Sequence, residues 1–453
     1  MNSKIMLGFY GDDFTGSTDA MEALTLSGIR TVLFLEPPSV DIINESFSTI
    51  QAFGIAGVSR SLNQSQMEDE LRPAFKALKD SGALICHYKT CSTFDSSSDV
   101  GSIGKAMEIG KEIFDSSQTF IPLVVGVPRL NRFTVFGNHF ATVNGTTYRL
   151  DRHPVMSKHP VTPMHEAELL EHLKEQTNLS SGLVNILDLS NEISVVKENI
   201  AEKKKNHDLL LFDVLDETNL KKIGEILLDE AAYNQLFAVG SSGIEYALTA
   251  AWKKSTQIDT KEPTFTNRGQ SEPMLVVSGS CSAVTKAQID YAKKNGFTCI
   301  RVSGEELLYD HVEHVRNRFI DQVNELLNKG ENVVVYSALG PDDPSIENVR
   351  KKLNDLGRTS TDTGQFLGEQ LGKMTKEIIE NQKVTRLVVA GGDTSGYVLK
   401  ELEIYAMEMV MPITPGGPLC KTYSNNKKFD GLEVCLKGGQ VGGTDFFVKV
   451  KNG

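Results

Sequence analysis

Residues 5–20 read IMLGFYGDDFTGSTDA: an apolar run of strand length, a glycine, two adjacent acids, and then a Ser/Thr-rich opening to a helix. A short apolar run bounded by such a turn marks a buried strand, and its passage into a helical pattern is the start of an α/β unit. The same pattern recurs outward along the chain. Ala83 to Tyr88 leads into KTCSTFDSSSDVGSIG, Leu123 to Val127 into PRLNRFTVFGNHF, and Leu236 to Val239 into GSSGIEYAL with a helix to about Trp252. A further strand, Phe53 to Val58, precedes VSRSLN. Each is expected to be a strand followed by a polar loop. In open α/β sheets ligands gather beyond the carboxyl ends of the strands, so these loops are where chemistry is expected.

The pattern breaks at STQIDTKEPTFTNRGQSEP (255–273), which is polar, holds two prolines and has neither periodicity; it reads as an interdomain linker. A second half restarts with Pro273 to Val277 and SGSCSAVTKAQIDYAKKNG, with further strands at Asn332 to Ser337 and Arg386 to Ala390. The expected fold is therefore α/β in two domains, 1–255 and 272–453, each with a largely parallel sheet flanked by helices.

A chain of 453 residues with 40% hydrophobic composition can bury more than one core. The formal net charge of -12 argues against nucleic acid or an anionic membrane as partner, since both attract basic faces. Six cysteines without a C-x-x-C pair fit free thiols in a reducing, cytoplasmic setting. The N-terminus leads straight into the first strand, unlike a signal peptide, and no apolar stretch is long enough to span a bilayer. The run KKK at 203–205 reads as a solvated helix face.

Gly11 and Gly16 have the spacing of a Walker A loop and Thr18 sits at its hydroxyl position, but position 17 is Ser and not Lys. With Asp12 and Asp13 inside it, the loop is a poor triphosphate cradle. Paired carboxylates at a strand end suit hydroxyl recognition instead, and one of them can take a proton from an attacking alcohol. The plainer reading is that Asp13 or Thr15 caps the next helix. Lys89, Ser92, Thr93 and Asp95, with the neighbouring serines, offer donors for a ligand carboxylate, although such clusters also cap helices. Arg60 is a candidate fork for the same carboxylate.

In the second half, SGSCSAVT (278–285), AGGDTSG (390–396) and LKGGQVGGTDFF (436–447) are glycine- or serine-rich turns at strand ends. Together they point to a nucleotide site, with backbone N–H groups approaching phosphates at helix starts. His153, His159 and His165 lie six apart in a proline-interrupted loop, a spacing that fits no metal site. Cys91 reads as a small buried thiol and not a nucleophile.

DDFTG near residue 12, KTCSTFDS at 89, HPVTPM at 159, SGSCS at 278, GGDTSG at 391 and the PGGP/LKGG pair at 415 and 436 occur in that order. This arrangement resembles the four-carbon acid sugar kinase family over nearly the whole chain. The resemblance implies an acid-sugar-binding N-terminal domain, an ATP-binding C-terminal domain, and transfer with Mg²⁺ at the cleft between them. Residue by residue, Asp12 and Asp13 match the acidic pair, Arg60 the arginine after a strand, and Lys89, Ser92 and Thr93 the Lys-x-x-Ser-Thr loop. Ser280 and Ser282 match the nucleotide-loop serines, Gly391, Gly392, Asp393, Thr394 and Ser395 the glycine turn, and Gly438, Gly439 and Gly442 the last glycine loop. The chain departs from the family's usual GRTV-x-x-GHLFV at NRFTVFGNHFA, where Asn131 replaces glycine and Asn138 precedes His139, and GSSG at 240 replaces GSAG. The change at Asn131 is expected to reshape the acceptor pocket.

The expected activity is ATP-dependent phosphorylation of the terminal hydroxyl of a short sugar acid such as threonate, erythronate, a 3-oxo-tetronate or a related 3-oxo acid. The alternative is a two-domain sensor that binds nucleotide without turnover. No protein-bound metal cluster is expected, and the oligomeric state is left open, a homodimer included.

Overall fold

The computed structural model describes residues 5–114, 120–159, 161–255, 263–308, 311–357 and 362–453, so residues 256–262 of the expected linker lie outside the described residues. The chain divides into two compact units, Met1–Pro263 and Thr264–Gly453. Both are α/β with mostly parallel sheets flanked by helices, as the alternation of strand and helix patterns implied.

The strands of the first unit are β1 (Leu7–Gly11), β2 (Thr31–Phe34), β3 (Ala52–Ala56), β4 (Ile85–Lys89), β5 (Ile121–Val124), β6 (Arg132–Val135), β7 (Asn138–Val143), β8 (Thr146–Arg149), β9 (Ser181–Val184), β10 (Leu209–Phe212) and β11 (Leu236–Gly240). The main sheet has the order β2-β3-β1-β4-β11-β5-β10-β9, parallel at every pairing. Sheets covered on both faces need strands apolar on both faces, and β1, β4, β10 and β11 are buried along their whole length. β4 carries two buried polar exceptions, Lys89 at its end and His87, fully buried, with Nδ1 2.8 Å from Glu245 Oε1 and Nε2 3.1 Å from the Gly240 carbonyl. A carbonyl only accepts, so Nε2 carries a hydrogen, and the ring ties β4 to the end of β11 and to the helix Gly243–Ser255.

The stretch after β5 differs from expectation. In place of a polar loop, β6, β7 and β8 form a three-stranded antiparallel sheet. Its turns are Phe136-Gly137 (φ 49° and 76°) and Asn144-Gly145 (φ 50° and 77°), two-residue hairpins with both central residues left-handed. Of the lysines at 203–205, Lys205 is exposed as expected, whereas Lys203 pairs with Asp188 at 2.8 Å and Lys204 with Glu230 at 3.0 Å, both half-buried.

The second unit adds β12 (Leu275–Ser278), β13 (Phe297–Arg301), β14 (Asn332–Tyr336), β15 (Arg386–Ala390), β16 (Ile404–Met411), β17 (Leu419–Ser424) and β18 (Glu433–Lys437). Their order is β13-β14-β12-β15-β18-β17-β16, parallel from β13 to β18, with β17 antiparallel to both neighbours. Val276, Val334, Val388 and Cys435 of the sheet pack on Phe446 and Phe447 of the last helix. Arg386, 1% exposed, fixes that helix: Nε and Nη2 bind Glu433, and Nη1 donates to the carbonyls of Gly269, Val450 and Lys451. No helix among the described residues is long and apolar enough to cross a membrane.

Gly57, just after β3, has no room for a side chain: a Cβ there would lie 2.0 Å from the Tyr10 ring and 2.5 Å from the Gly11 carbonyl. Because the backbone atom cannot yield cheaply, Gly57→Ala is predicted to lower unfolding free energy by about 2–3 kcal/mol, measured by urea denaturation. An unchanged midpoint would show that β1 and β3 can separate without cost.

Candidate active site

Parallel register brings three strand ends level in the first unit. Gly11 of β1 lies opposite Ala56 of β3 on one side and Lys89 of β4 on the other. β1 is also where the strand order turns back, the place at which open α/β sheets bind ligands. Asp12 ties the three loops that follow. Its N–H donates to the Lys89 carbonyl at 2.9 Å, its carbonyl accepts from Arg60 N at 3.0 Å, and its Oδ2 accepts from Cys91 N at 3.1 Å. The loop after β3 is braced from below by two stacked rings: Val58 N donates to Tyr10 Oη at 3.2 Å and Ser59 Oγ lies 3.0 Å from Tyr88 Oη.

Asp13 does two jobs. Its Oδ1 caps the helix Phe14–Leu26 by accepting from Gly16 N at 2.7 Å, the plainer reading of this residue, and its Oδ2 pairs with Arg60 Nη2 at 2.6 Å. Arg60 Nη1 stands 3.9 Å from Asp95, which in turn accepts from the Thr93 hydroxyl. Lys89, 3% exposed, reaches up beside Gly16; a Cβ on that glycine would lie 2.7 Å from its Nζ. Burial would lower the Lys89 ammonium, but the carboxylates of Asp19, Asp12 and Asp13 more than offset it and hold its pKa above the usual value.

Asp12 itself is 2% exposed, and its Oδ1 is buried with no hydrogen-bond partner. Burial, with Asp13 beside it, pushes its carboxyl up to about 7 against the pull of Arg60 and Lys89. A carboxyl titrating there, with a free oxygen, has the protonation range and the acceptor geometry of a general base.

The sequence-derived set Asp12, Asp13, Arg60, Lys89, Thr93 and Asp95 thus converges. Ser92 contributes its carbonyl, which accepts from His139 Nε2 at 2.9 Å; His139 Nδ1 meets Thr134 Oγ1 at 3.0 Å, and burial holds this ring neutral by lowering it to about 4. Cys91 is pushed up to about 12 by burial, so it stays a thiol. Asn131 takes the left-handed conformation (φ 54°, ψ 48°) that favours glycine and that asparagine tolerates, so the departure at this position leaves the backbone path open and its side chain is exposed.

Two residues of this cluster were not singled out from sequence. Asp19, one turn into the first helix, lies near Lys89, and burial raises it. Arg132, at the start of β6, feels Cys91 and Asp95 electrostatically; its Nη1 donates to the carbonyls of Leu130, Asn131 and Thr142, while its buried Nε has no partner. Burial lowers it, and no carboxylate among the described residues pairs with it. The three histidines of the following stretch serve locally: His153 Nδ1 accepts from Val155 N and Met156 N, and His159 Nδ1 bonds Thr162, while His165 lies exposed. Among the described residues no group of three or more His, Cys, Asp or Glu could hold a metal ion.

In the second unit the three glycine-rich turns also converge. Ser282 caps the helix Ala283–Lys294 through Thr285 N at 3.0 Å and donates to the Gly439 carbonyl. Thr285 Oγ1 lies 3.0 Å from Ser280 Oγ and 3.2 Å from the Gly439 carbonyl. Gly279 packs closely on Thr394, since a Cβ would lie 2.2 Å from Thr394 Oγ1, and Gly391 (φ 125°) brings its turn against Ser280 N. Ser395 Oγ donates to the Gly391 carbonyl at 2.8 Å, bracing that turn, while Asp393 is exposed in the first turn of the helix Gly392–Glu401. Gln288 Nε2 donates to the carbonyls of Val441, Gly442 and Gly443, and Val441 N to Gly438 O, which fixes the last loop.

Comparison with known proteins agrees with this division. Residues 7–248 match a sugar-binding N-terminal domain family and residues 275–447 a nucleotide-binding C-terminal domain family. The chain is 39% identical over 451 residues to a 3-oxo-isoapionate kinase of Paraburkholderia graminis, covering 99% of this chain and 94% of that one. It is 28% identical over 449 residues to a 3-oxo-tetronate kinase of Pectobacterium atrosepticum, covering 99% of each. Among solved structures it resembles a proposed tRNA synthase of Salmonella typhimurium LT2 (TM-score 0.79, 22% identity, 98% of both chains). It also resembles a Haemophilus influenzae protein of the DUF1537 group (TM-score 0.74, 23% identity, 98% of both). At these identities the structural likeness speaks for the fold.

The raised Asp12 has a consequence for stability. A carboxyl whose folded pKa exceeds its unfolded one keeps extra protons in the native state, so stability falls as pH rises from the unfolded value of 3.8 through about 7. Asp12→Asn lacks this loss. Relative to the wild type, the variant is predicted to gain stability as pH rises from about 4 to about 7, by at most about 1.4 kcal/mol per pH unit, and to level off above that, in urea melts. A difference that does not change with pH would contradict the assignment.

Proposed function

The chain belongs to the four-carbon acid sugar kinase family, and from that premise we propose that it phosphorylates a terminal hydroxyl of 3-oxo-isoapionate, with Asp12 as general base. That it is an ATP-using sugar acid kinase follows from the kinase relatives and the nucleotide-binding domain together, and the sensor alternative is not favoured. The choice among sugar acids is supported by 39% identity to a kinase of 3-oxo-isoapionate against 28% to kinases of 3-oxo-tetronate, both along almost the entire chain.

The observation that carries the mechanism is the buried, unpartnered Oδ1 of Asp12. In the proposed complex it accepts the hydrogen of the attacking hydroxyl. As the new P–O bond forms and the bond from the γ-phosphorus to the leaving oxygen of ADP breaks, the proton passes to Asp12. Lys89 and Arg60 keep the anionic form accessible near neutral pH. The substrate carboxylate is held by Arg60 with the Lys89, Ser92 and Thr93 loop, with Asp95 positioning Thr93. Arg132 joins this clamp, because Arg60 is already engaged by Asp13 whereas the Arg132 Nε is free to donate. In the other unit, Ser280, Ser282, the turn Gly391 to Ser395 and Gly438, Gly439 and Gly442 hold the nucleotide. Mg²⁺, whose chemistry is to neutralise the phosphates, commonly keeps only one or two protein carboxylates, and the exposed Asp393 fits that role here. Positioning and charge neutralisation supply most of the acceleration.

A coupled ADP-release assay with Mg-ATP tests the reading. Turnover of 3-oxo-isoapionate with kcat/KM at least about tenfold above that of 3-oxo-tetronate is expected, a difference of about 1.4 kcal/mol in transition-state binding, and neutral polyols should be inert. Preference for 3-oxo-tetronate would overturn the substrate, and efficient turnover of a neutral polyol would overturn the carboxylate clamp.

A further inference from the structure

Two cations are buried at opposite ends of adjacent strands in the second unit, and they are treated differently. Arg386, at the start of β15, is held by Glu433 and by three backbone carbonyls. Lys437, the last residue of β18, is 2% exposed and has no carboxylate within ion-pair distance among the described residues. Its Nζ donates to Thr285 Oγ1 at 2.9 Å, and the titratable neighbour that acts on it is the Cys435 thiol. Burial lowers this ammonium to about 8, the mark of a charge taken out of water without an opposite charge to meet it.

Its surroundings make the imbalance worse. Thr285 belongs to the first turn of the helix Ala283–Lys294, where unpaired N–H groups already carry partial positive charge. The Lys437 carbonyl accepts from Gly391 N at 2.9 Å, so the side chain starts from the seam between two of the three glycine-rich turns. Its hydroxyl partner Thr285 is bonded in turn to Ser280, in the third turn, and lies 3.2 Å from the carbonyl of Gly439, two residues beyond Lys437. An ammonium has three donors, and one is used by Thr285. Two positive sources without a counter-charge repel one another, and an anion between them turns the same arrangement favourable.

We propose that Lys437 is a phosphate-contacting catalytic residue, whose two remaining donors bind the terminal phosphates of the nucleotide and neutralise charge that builds up during phosphoryl transfer. The proposal rests on the nucleotide-binding reading of this unit and not on the identity of the sugar acid. Lys437 exchanges no proton in the step; it stays an ammonium while the hydroxyl proton goes to Asp12.

Lys437→Met and Lys437→Gln in the full chain test it, with thermal shift read against adenosine and Mg-ATP, and turnover read by ADP release. The expected result is an apo melting temperature equal to or above the wild type in at least one variant, an adenosine shift retained, an ATP shift largely lost, and kcat reduced at least about 100-fold. A structural lysine would give a different outcome: both variants melt lower and lose the adenosine and ATP shifts alike, which overturns the proposal, as does a variant with unchanged ATP shift and turnover. A wild type that shows no shift with either ligand would overturn the nucleotide reading itself. None of the thermal shifts requires the sugar acid, so a wrong substrate leaves this test intact.

Discussion

Everything in the acceptor site hangs on the hydrogen bonds of Asp12. Parallel pairing puts Gly11, Ala56 and Lys89 at one level, and Asp12, the residue after β1, then bonds Lys89 and Arg60 through its backbone and Cys91 N through its side chain. Arg60 arrives because its own N–H is held by the Asp12 carbonyl, and Lys89 because its carbonyl receives the Asp12 N–H. The residues that meet the substrate in the proposed mechanism are therefore placed by backbone geometry, before their side chains contribute anything. A shift of β4 by one residue would turn Lys89 to the opposite face and dissolve the cluster.

The molecule handles buried charge in two ways. His87 with one oxygen of Glu245, and Arg386 with Glu433, are buried groups that pair with each other, and they sit where they fasten strands to helices, although Glu245 Oε2 itself has no hydrogen-bond partner. Asp12 and Lys437 are buried with less than full compensation, at the carboxyl ends of strands where ligands gather. Structural pairs need no ligand to be stable. An under-compensated carboxyl or ammonium is a standing cost to the fold that substrate, or a phosphate, removes, and such groups cluster at functional sites for that reason.

Much of this was legible in the sequence because parallel strands advertise themselves: short apolar runs ending in Gly, Ser or Asp show both the strand and its functional end. Asp12, Asp13, Arg60 and Lys89 could be named from those ends, and the resemblance to known kinases joined them. The hairpin sheet β6–β8 was hidden because its strands are short and half polar, although Asn144-Gly145 is a strong hairpin turn. Arg132, Asp19 and Lys437 were hidden for a different reason. Each is a lone charge beside an apolar run, and such a residue ordinarily faces water. The hydrogen-bond partner of the buried Lys437 is Thr285, 152 residues away in sequence, and no local pattern carries that information.

The most direct test of the account is the rate of phosphoryl transfer in single turnovers, followed against pH for the wild type, Asp12→Asn and Asp13→Asn. The account predicts that the wild-type rate falls about tenfold per unit below an apparent pKa near 7, that Asp13→Asn keeps this acid limb at a lower rate, and that Asp12→Asn loses both the limb and most of the rate. An acid limb that survives in Asp12→Asn, or a rate in that variant close to the wild type, would contradict it and move the base to another group.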